Sequence, residues 1–178
     1  MKKSITKGLL LAILLCPIAL TTAHAQAKPP TYRDMVGDNP NAEADIKLVT
    51  DYVHALAAGE IDKAMTMLAP DYKGRGPGPE DSADVQKTAA SWKTNMTTQK
   101  DSKASFVAET FNVKSGENAG HWVATWGSYT FTQDGKTVSF PYQYTAHIKN
   151  GKIDRDAVYY DQSYIMKTLG FTITPPAK

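Results

Sequence analysis

After Lys100 the hydrophobic period of the chain changes from helical to two, and it stays at two until about Tyr160. Strands are expected near 103–114, 119–132, 136–149 and 152–160, separated by "SGEN", "QDG" and "NG". Connections this short return a strand antiparallel to its predecessor. Before Lys100 the spacing is that of helices. In "AEADIKLVTDYVHALAAG", Ile46, Val49, Val53 and Leu56 form a stripe flanked by Leu48 and Tyr52, and Gly59 suits the C-terminal cap. "EIDKAMTML" places Ile61, Ala64, Met65 and Leu68 on one face and ends at Pro70. "DYKGRGPGPED" reads as loop, after which Asp81 or Ser82 can cap a third helix carrying Val85, Ala89, Trp92 and Met96. Helices first and a meander afterwards indicate an α+β fold, with three N-terminal helices packed on one face of a strongly curved antiparallel sheet.

The hairpin signals "DGK" and "NGK" each allow a two-residue turn or a three-residue loop ending in a glycine bulge. The two options differ by one residue of register, and a one-residue slip moves every side chain to the other face. Three-residue loops gather Trp122, Ala124, Trp126, Val138, Phe140, Tyr142, Tyr144, Ala146 and Ile148 on one side, joined by Asp156, Val158 and Tyr160. The other side of the third strand is then polar, from Thr137 and Ser139 through Gln143 to His147. Two-residue turns would put Trp126 beside Gln143 and lose that separation. The pattern therefore favours bulged loops, an aromatic concave face, and Asp156 as a charged residue on it.

The first 25 residues have another purpose. Lys2, Lys3 and Lys7 precede the 13-residue apolar run "GLLLAILLCPIAL", and "AHA" at 23–25 supplies small residues for cleavage after about Ala25. That is the form of an export signal, so a secreted or periplasmic protein is expected. The run is shorter than the roughly 20 residues that span a bilayer, and Leu15 before Cys16 does not fit a lipid-attachment site. The reading divides the chain into a signal at 1–25, a flexible linker at 26–41, one domain at 42–171 and a tail at 172–178. Three lysines and the lone cysteine leave with the signal; of 20 basic and 18 acidic residues, the remainder has one more acid than base. A nearly neutral chain offers no electrostatic footprint for nucleic acid or anionic lipid. Without cysteine it has neither a disulfide nor thiol chemistry and must rely on packing.

The segments "DYVHALAAGEIDKAMTMLAPDY" at 51–72 and "HIKNGKIDRDAVYYDQSYIMKTLGF" at 147–171 resemble the SnoaL-like, ketosteroid-isomerase-like superfamily, which shares the nuclear transport factor 2 fold, a cystatin-like α+β cone. The resemblance spans roughly residues 42–171. It implies a pocket between the helices and the concave sheet, homodimerisation through the convex face, and functions that need no cofactor. Isomerases, cyclases, epoxide hydrolases and non-catalytic binders all occur in the superfamily. Tyr52 stands where ketosteroid isomerases carry the tyrosine that polarises the substrate carbonyl. Gly76 stands at the place of their basic aspartate, and Val158 at the place of the last-strand acid of the cyclases and hydrolases. Neither can accept a proton, so the resemblance implies the pocket more directly than the reaction.

Among the acids, Asp161 precedes "QSYIMKTL" and suits a helix cap. Asp156 is a candidate proton carrier if an aromatic pocket desolvates it, or one member of a solvated cluster with Asp154 and Arg155. Tyr52 is a hydrogen-bond donor to a ligand or a core tyrosine. Trp122, Trp126, Phe140, Tyr142, Tyr144, Val158 and Tyr160 are the expected pocket wall, closed by Trp92 from the third helix. His54, His121 and His147 lack metal-ligand spacing; the latter two are expected on the convex face, and no metal is expected. Binding of a small, mostly apolar molecule without turnover is the first reading. A cofactor-independent isomerase, cyclase or hydrolase using Asp156 and Tyr52 is the second, and an interaction module with a filled cone the third.

Overall fold

The structure, a computed structural model, describes residues 28–174. The expected export signal, its cleavage site and Cys16 lie outside these residues, as does the end of the tail. A helical turn, α1 (Tyr32–Met35), and the two-residue strand β1 (Val36–Gly37) come first. They correct the linker expectation at its C-terminal end, because Val36 and Gly37 pair with Val113 and Asn112. The main helix α2 (Ala42–Ala57) follows, with Glu43 and Asp45 in its first turn, where acids complement the positive end of a helix. Its stripe of Val49, Tyr52, Ala55 and Leu56 is buried, and the chain leaves it through Gly59 at φ +76°, a conformation glycine adopts without strain.

Helix α3 (Ile61–Met65) leads into strand β2 (Leu68–Arg75). This strand replaces the loop expected at "DYKGR" and pairs parallel with the last strand, Gly74 opposite Asp156 and Arg75 opposite Ala157. Its inward and outward residues alternate, Tyr72 and Gly74 buried between Asp71, Lys73 and Arg75. The glycines and prolines around it hid that alternation. Strand β3 (Ser82–Ala83) and helix α4 (Val85–Thr98) come next. The helix is capped by Asp84, whose carboxylate accepts the amide of Lys87 at 2.9 Å, rather than by Asp81 or Ser82.

The meander falls close to its expected positions as β4 (Lys100–Val113), β5 (Gly120–Gln133), β6 (Lys136–Lys149) and β7 (Lys152–Tyr160). Helix α5 (Gln162–Leu169) closes the domain, and the Asp161 carboxylate accepts the amide of Tyr164 at 2.9 Å, the cap expected from sequence. The sheet runs β1-β4-β5-β6-β7-β2-β3. It is thus a curved, mixed, seven-stranded sheet instead of a purely antiparallel one, and α1 and α5 join the three helices that were expected.

The hairpin registers decide which side chains look inward. Between β5 and β6 Gln133 pairs with Lys136, so the loop is the two residues Asp134 and Gly135, both at positive φ. That geometry suits a type I′ turn, whose twist matches that of the flanking strands. Trp126 therefore pairs with Gln143, and the face expected of β5 is reversed. Val123, Thr125 and Phe131 are buried on the inner side with Val138, Phe140, Tyr144 and Ala146 of β6. Between β6 and β7 the loop is again two residues, Asn150 and Gly151, but the register shifts between Ile148–Ile153 and His147–Arg155. Asp154 is the extra residue of a β-bulge. Beyond it Ala146 pairs with Asp156 and Tyr144 with Val158, so Asp156, Val158 and Tyr160 take the expected inward side through a bulge in the strand instead of in the loop.

Two apolar clusters fill the concave side. Val49, Tyr52, Leu56, Ile61, Leu68, Val123, Ala146, Ile148 and Ile153 form the larger. Phe131, Val138 and Phe140 form the smaller, against Ile165 and Leu169 of α5. Each large apolar side chain so enclosed contributes about 1.5–3 kcal/mol.

Candidate functional site

A cavity of about 500 Å³ lies between the two clusters, under α2 and α4 and against the inner face of the sheet. Three strands build its polar end. The bulge in β7 turns Asp156 inward, where Tyr144 of β6 and Tyr72 of β2 both donate their hydroxyls to its Oδ2, each at 2.7 Å. Gly74, opposite Asp156 in the parallel ladder, leaves room for this contact: a Cβ there would lie 2.4 Å from the Tyr72 hydroxyl and 3.0 Å from Asp156 Oδ1.

Asp156 is 8% exposed. Loss of water disfavours its charged form and pushes its pKa up to about 6, against the pull of the Tyr144 and Tyr72 hydroxyls and the Arg75 amide. The same burial, reinforced by the negative charge of Asp156, holds the hydroxyls of Tyr52 and Tyr144 far above the ordinary phenol range. Tyr72 is raised as well, by burial and then by Tyr52 and Asp156. The tyrosines therefore remain neutral donors at any physiological pH, while the carboxyl can be found in either form near neutrality. A proton acceptor with fixed neutral donors beside it is the equipment of general acid–base chemistry.

Tyr52 stacks on Tyr144, ring centroids 6.0 Å apart. It is a core tyrosine, 2% exposed, that also lines the cavity beside the carboxylate. At the apolar end Trp92 meets Tyr129 edge-on at 6.1 Å, and Phe140 packs on Tyr160 at 5.3 Å. Tyr142, Val158, Ile165 and Met166 complete the wall, and Arg75, Asp81, Lys87, Gln99 and Gln162 border the opening.

Most of the expected wall is brought together: Tyr52, Trp92, Phe140, Tyr142, Tyr144, Asp156, Val158 and Tyr160 all face the cavity. Trp122 and Trp126 do not, because the two-residue turn sends them to the convex face. There Trp126 is 43% exposed, and Trp122 lies edge-on to His147, with the Arg155 guanidinium 5.1 Å above its ring. Tyr129 and Phe131 take their place, and Tyr72 is a site residue that sequence reasoning missed. Gly76, at φ +94°, also borders the cavity, its backbone against the Val158 carbonyl. The register corrects His121 too, which faces the helices and meets Asp45 at 3.1 Å. His147 is on the convex side as expected, bonded to Asp154, and His54 is exposed against Phe106. Among the described residues, no three His, Cys, Asp or Glu side chains are grouped as metal ligands.

The model of the SnoaL-like domain family matches residues 49–155. No curated protein matches the sequence. Among solved structures, a suggested polyketide cyclase from Xanthomonas campestris pv. campestris is 16% identical with a TM-score of 0.60, over 73% of this chain and 99% of its own. An M. tuberculosis LEH-like epoxide hydrolase is 16% identical at a TM-score of 0.58, over 74% of this chain and 89% of its own. A hypothetical protein with a ketosteroid isomerase-like fold from Catenulispora acidiphila, solved with trimethylamine, is 14% identical at 0.58, over 72% of this chain and 98% of its own. At these identities the likeness is one of fold.

Proposed function

The chain belongs to the SnoaL-like domain family, and we propose that it binds a small, mostly apolar molecule carrying one polar group in the cavity between helices and sheet. The observation that carries this reading is the placement of Asp156, a carboxylate held by Tyr72 and Tyr144 at one end of an otherwise aromatic cavity. The volume, about 500 Å³, lies within the roughly 300–1,000 Å³ of ligand pockets. The wall provides the affinity by apolar contact, and the carboxylate fixes orientation. Native mass spectrometry of the protein from its own host tests the reading. A co-purifying molecule of a few hundred daltons is expected, and a ligand-free spectrum together with failure to bind any apolar probe would overturn it.

A second reading, turnover by a cofactor-independent isomerase, cyclase or hydrolase, is favoured by one observation: burial brings Asp156 to about 6. In it the ionised carboxylate removes a proton from the bound molecule and returns it elsewhere. Tyr144 and Tyr72 hold the carboxylate, and Tyr52, in the same lining, is the hydrogen-bond donor to the bound molecule. Because the base form is required, the rate should rise with pH through about 6. Solvent deuterium entering a bound ketone would support turnover, and a ligand recovered without exchange would leave binding alone.

We also propose export and homodimerisation. Val107, Trp126, Gln143 and Tyr159 lie in one row across the convex face, and Val107, Trp126 and Tyr159 are 59%, 43% and 58% exposed. The exposed Val107, Trp126 and Tyr159 side chains in this row are the observation that supports association through this face. Trp126→Glu should turn a dimer into a monomer in light scattering. N-terminal sequencing of the fractionated host protein should begin near Gln26.

A further inference from the structure

Among the described residues the Asp156 carboxylate has no cationic partner. Its hydrogen-bond donors are neutral, the hydroxyls of Tyr72 and Tyr144 and the Arg75 amide. Every salt bridge among the described residues involves other groups. The basic side chains bordering the cavity, Arg75 and Lys87, are exposed at its mouth, where Asp81 accompanies them and Lys87 Nζ donates to the Ser82 carbonyl. A buried ion that lacks a counter-charge is costly, and neutral hydroxyls compensate it only in part.

The surroundings narrow what could supply the missing charge. A metal ion requires several oxygen ligands, and one carboxylate flanked by phenols does not provide them. An organic ammonium needs little more than one anion and the faces of aromatic rings, whose quadrupoles attract cations. Here Tyr52, Tyr144, Tyr142, Trp92 and Tyr129 line the same cavity as the carboxylate. Among the described residues the buried hydroxyl of Tyr142 has no hydrogen-bond partner. Tyr142 lines the cavity, and its hydroxyl oxygen can accept a hydrogen bond from a protonated amine.

We propose that the cavity selects an organic cation, a protonated or quaternary amine on an apolar body, with its charge against Asp156 and its alkyl or aryl groups against the rings. The inference rests on the reading that the cavity receives a small apolar molecule with one polar group, and it names that group. A neutral molecule of the same shape would keep the wall contacts and leave the carboxylate unpaired.

The test compares benzyltrimethylammonium with neopentylbenzene, its isostere in which carbon replaces the charged nitrogen, by calorimetric titration of the wild-type protein at neutral pH. The cation should bind at least about tenfold more tightly, as expected for a desolvated charge against an anion and several rings. Asp156→Asn should remove the preference by weakening the cation alone, with circular dichroism showing that the fold is kept. The wild-type comparison stands by itself if that variant does not fold. Equal affinities, or a tighter neutral compound, overturn the cation while leaving the apolar cavity in place. Failure of both compounds to bind overturns the cavity reading and the inference together.

Discussion

Two carboxylates in this domain are almost equally enclosed, Asp156 at 8% and Asp45 at 5% exposure, and they occupy different worlds. Asp45, in the first turn of α2, accepts the Asn39 amide at 2.8 Å and meets the His121 ring at 3.1 Å. The same Asn39 amide reaches the Thr110 hydroxyl, which donates to the Trp122 carbonyl, so the cluster fastens the N-terminal segment to helix and sheet. Its partners include an imidazole, and it does not line the cavity that Asp156 faces. Asp156 has hydroxyls on one oxygen and a cavity in front of it. Burial is common to both. What separates a clasp from a site is whether the partners can neutralise the charge and whether space remains for a ligand.

The largest effect that can break this contrast is on function. Asp156→Asn should lower turnover by about 10²–10⁴-fold if the carboxyl exchanges protons, while Asp45→Asn leaves the same assay unchanged. Equal losses in both would erase the distinction. Next comes stability. Asp45→Ala leaves Asn39 and His121 without their acceptor and should cost about 3 kcal/mol in chemical denaturation. Asp156→Asn should act in the opposite direction. Its folded pKa is raised from 3.8 to about 6, so the folded state holds the proton more tightly than the unfolded chain. Stability is therefore greatest below pH 3.8 for this group and declines as pH rises towards 6. Replacing the ion with an amide should recover about 3 kcal/mol at pH 7, read as a higher Tm. The smallest change sharpens the comparison. Tyr72→Phe removes one of the donors that favour the ionised carboxylate, so the Asp156 titration, followed by carboxyl-carbon NMR, should move to higher pH by about one unit.

The periodic parts of this architecture were legible in the sequence, and the parts that depend on register or on distant pairing were not. The meander strands, α2, and the Asp161 cap each rest on local signals of spacing and turn chemistry. So did the inward side of Asp156, Val158 and Tyr160, although a strand bulge and not a longer loop delivers it. Strand β5 misled because both of its faces are aromatic: Trp122 and Trp126 on one, Tyr129 and Phe131 on the other. With no polar side to exclude, binary pattern could not choose between turns, and Trp122, Trp126 and His121 were assigned to the wrong face together. Strand β2 was missed because its pairing with β7 is parallel and distant in sequence, and its single alternation, Tyr72 then Gly74, is bracketed by turn residues. The site thus gained Tyr72 from a contact that no local pattern announces.

One backbone residue, Asp154, sets the phase of the last strand. Ile153 on one side of it and Asp156 on the other both point inward only because the pleat skips a beat between them. A chain lacking Asp154 would pair Arg155 with His147 in plain alternation and keep the carboxylate inward, whereas a chain that retained Asp154 but paired it as an ordinary strand residue would turn Asp156 to bulk solvent. Within this fold, presence or absence of chemistry is therefore a matter of phase, and whether one residue is paired or left out of the ladder separates a scaffold from a receptor.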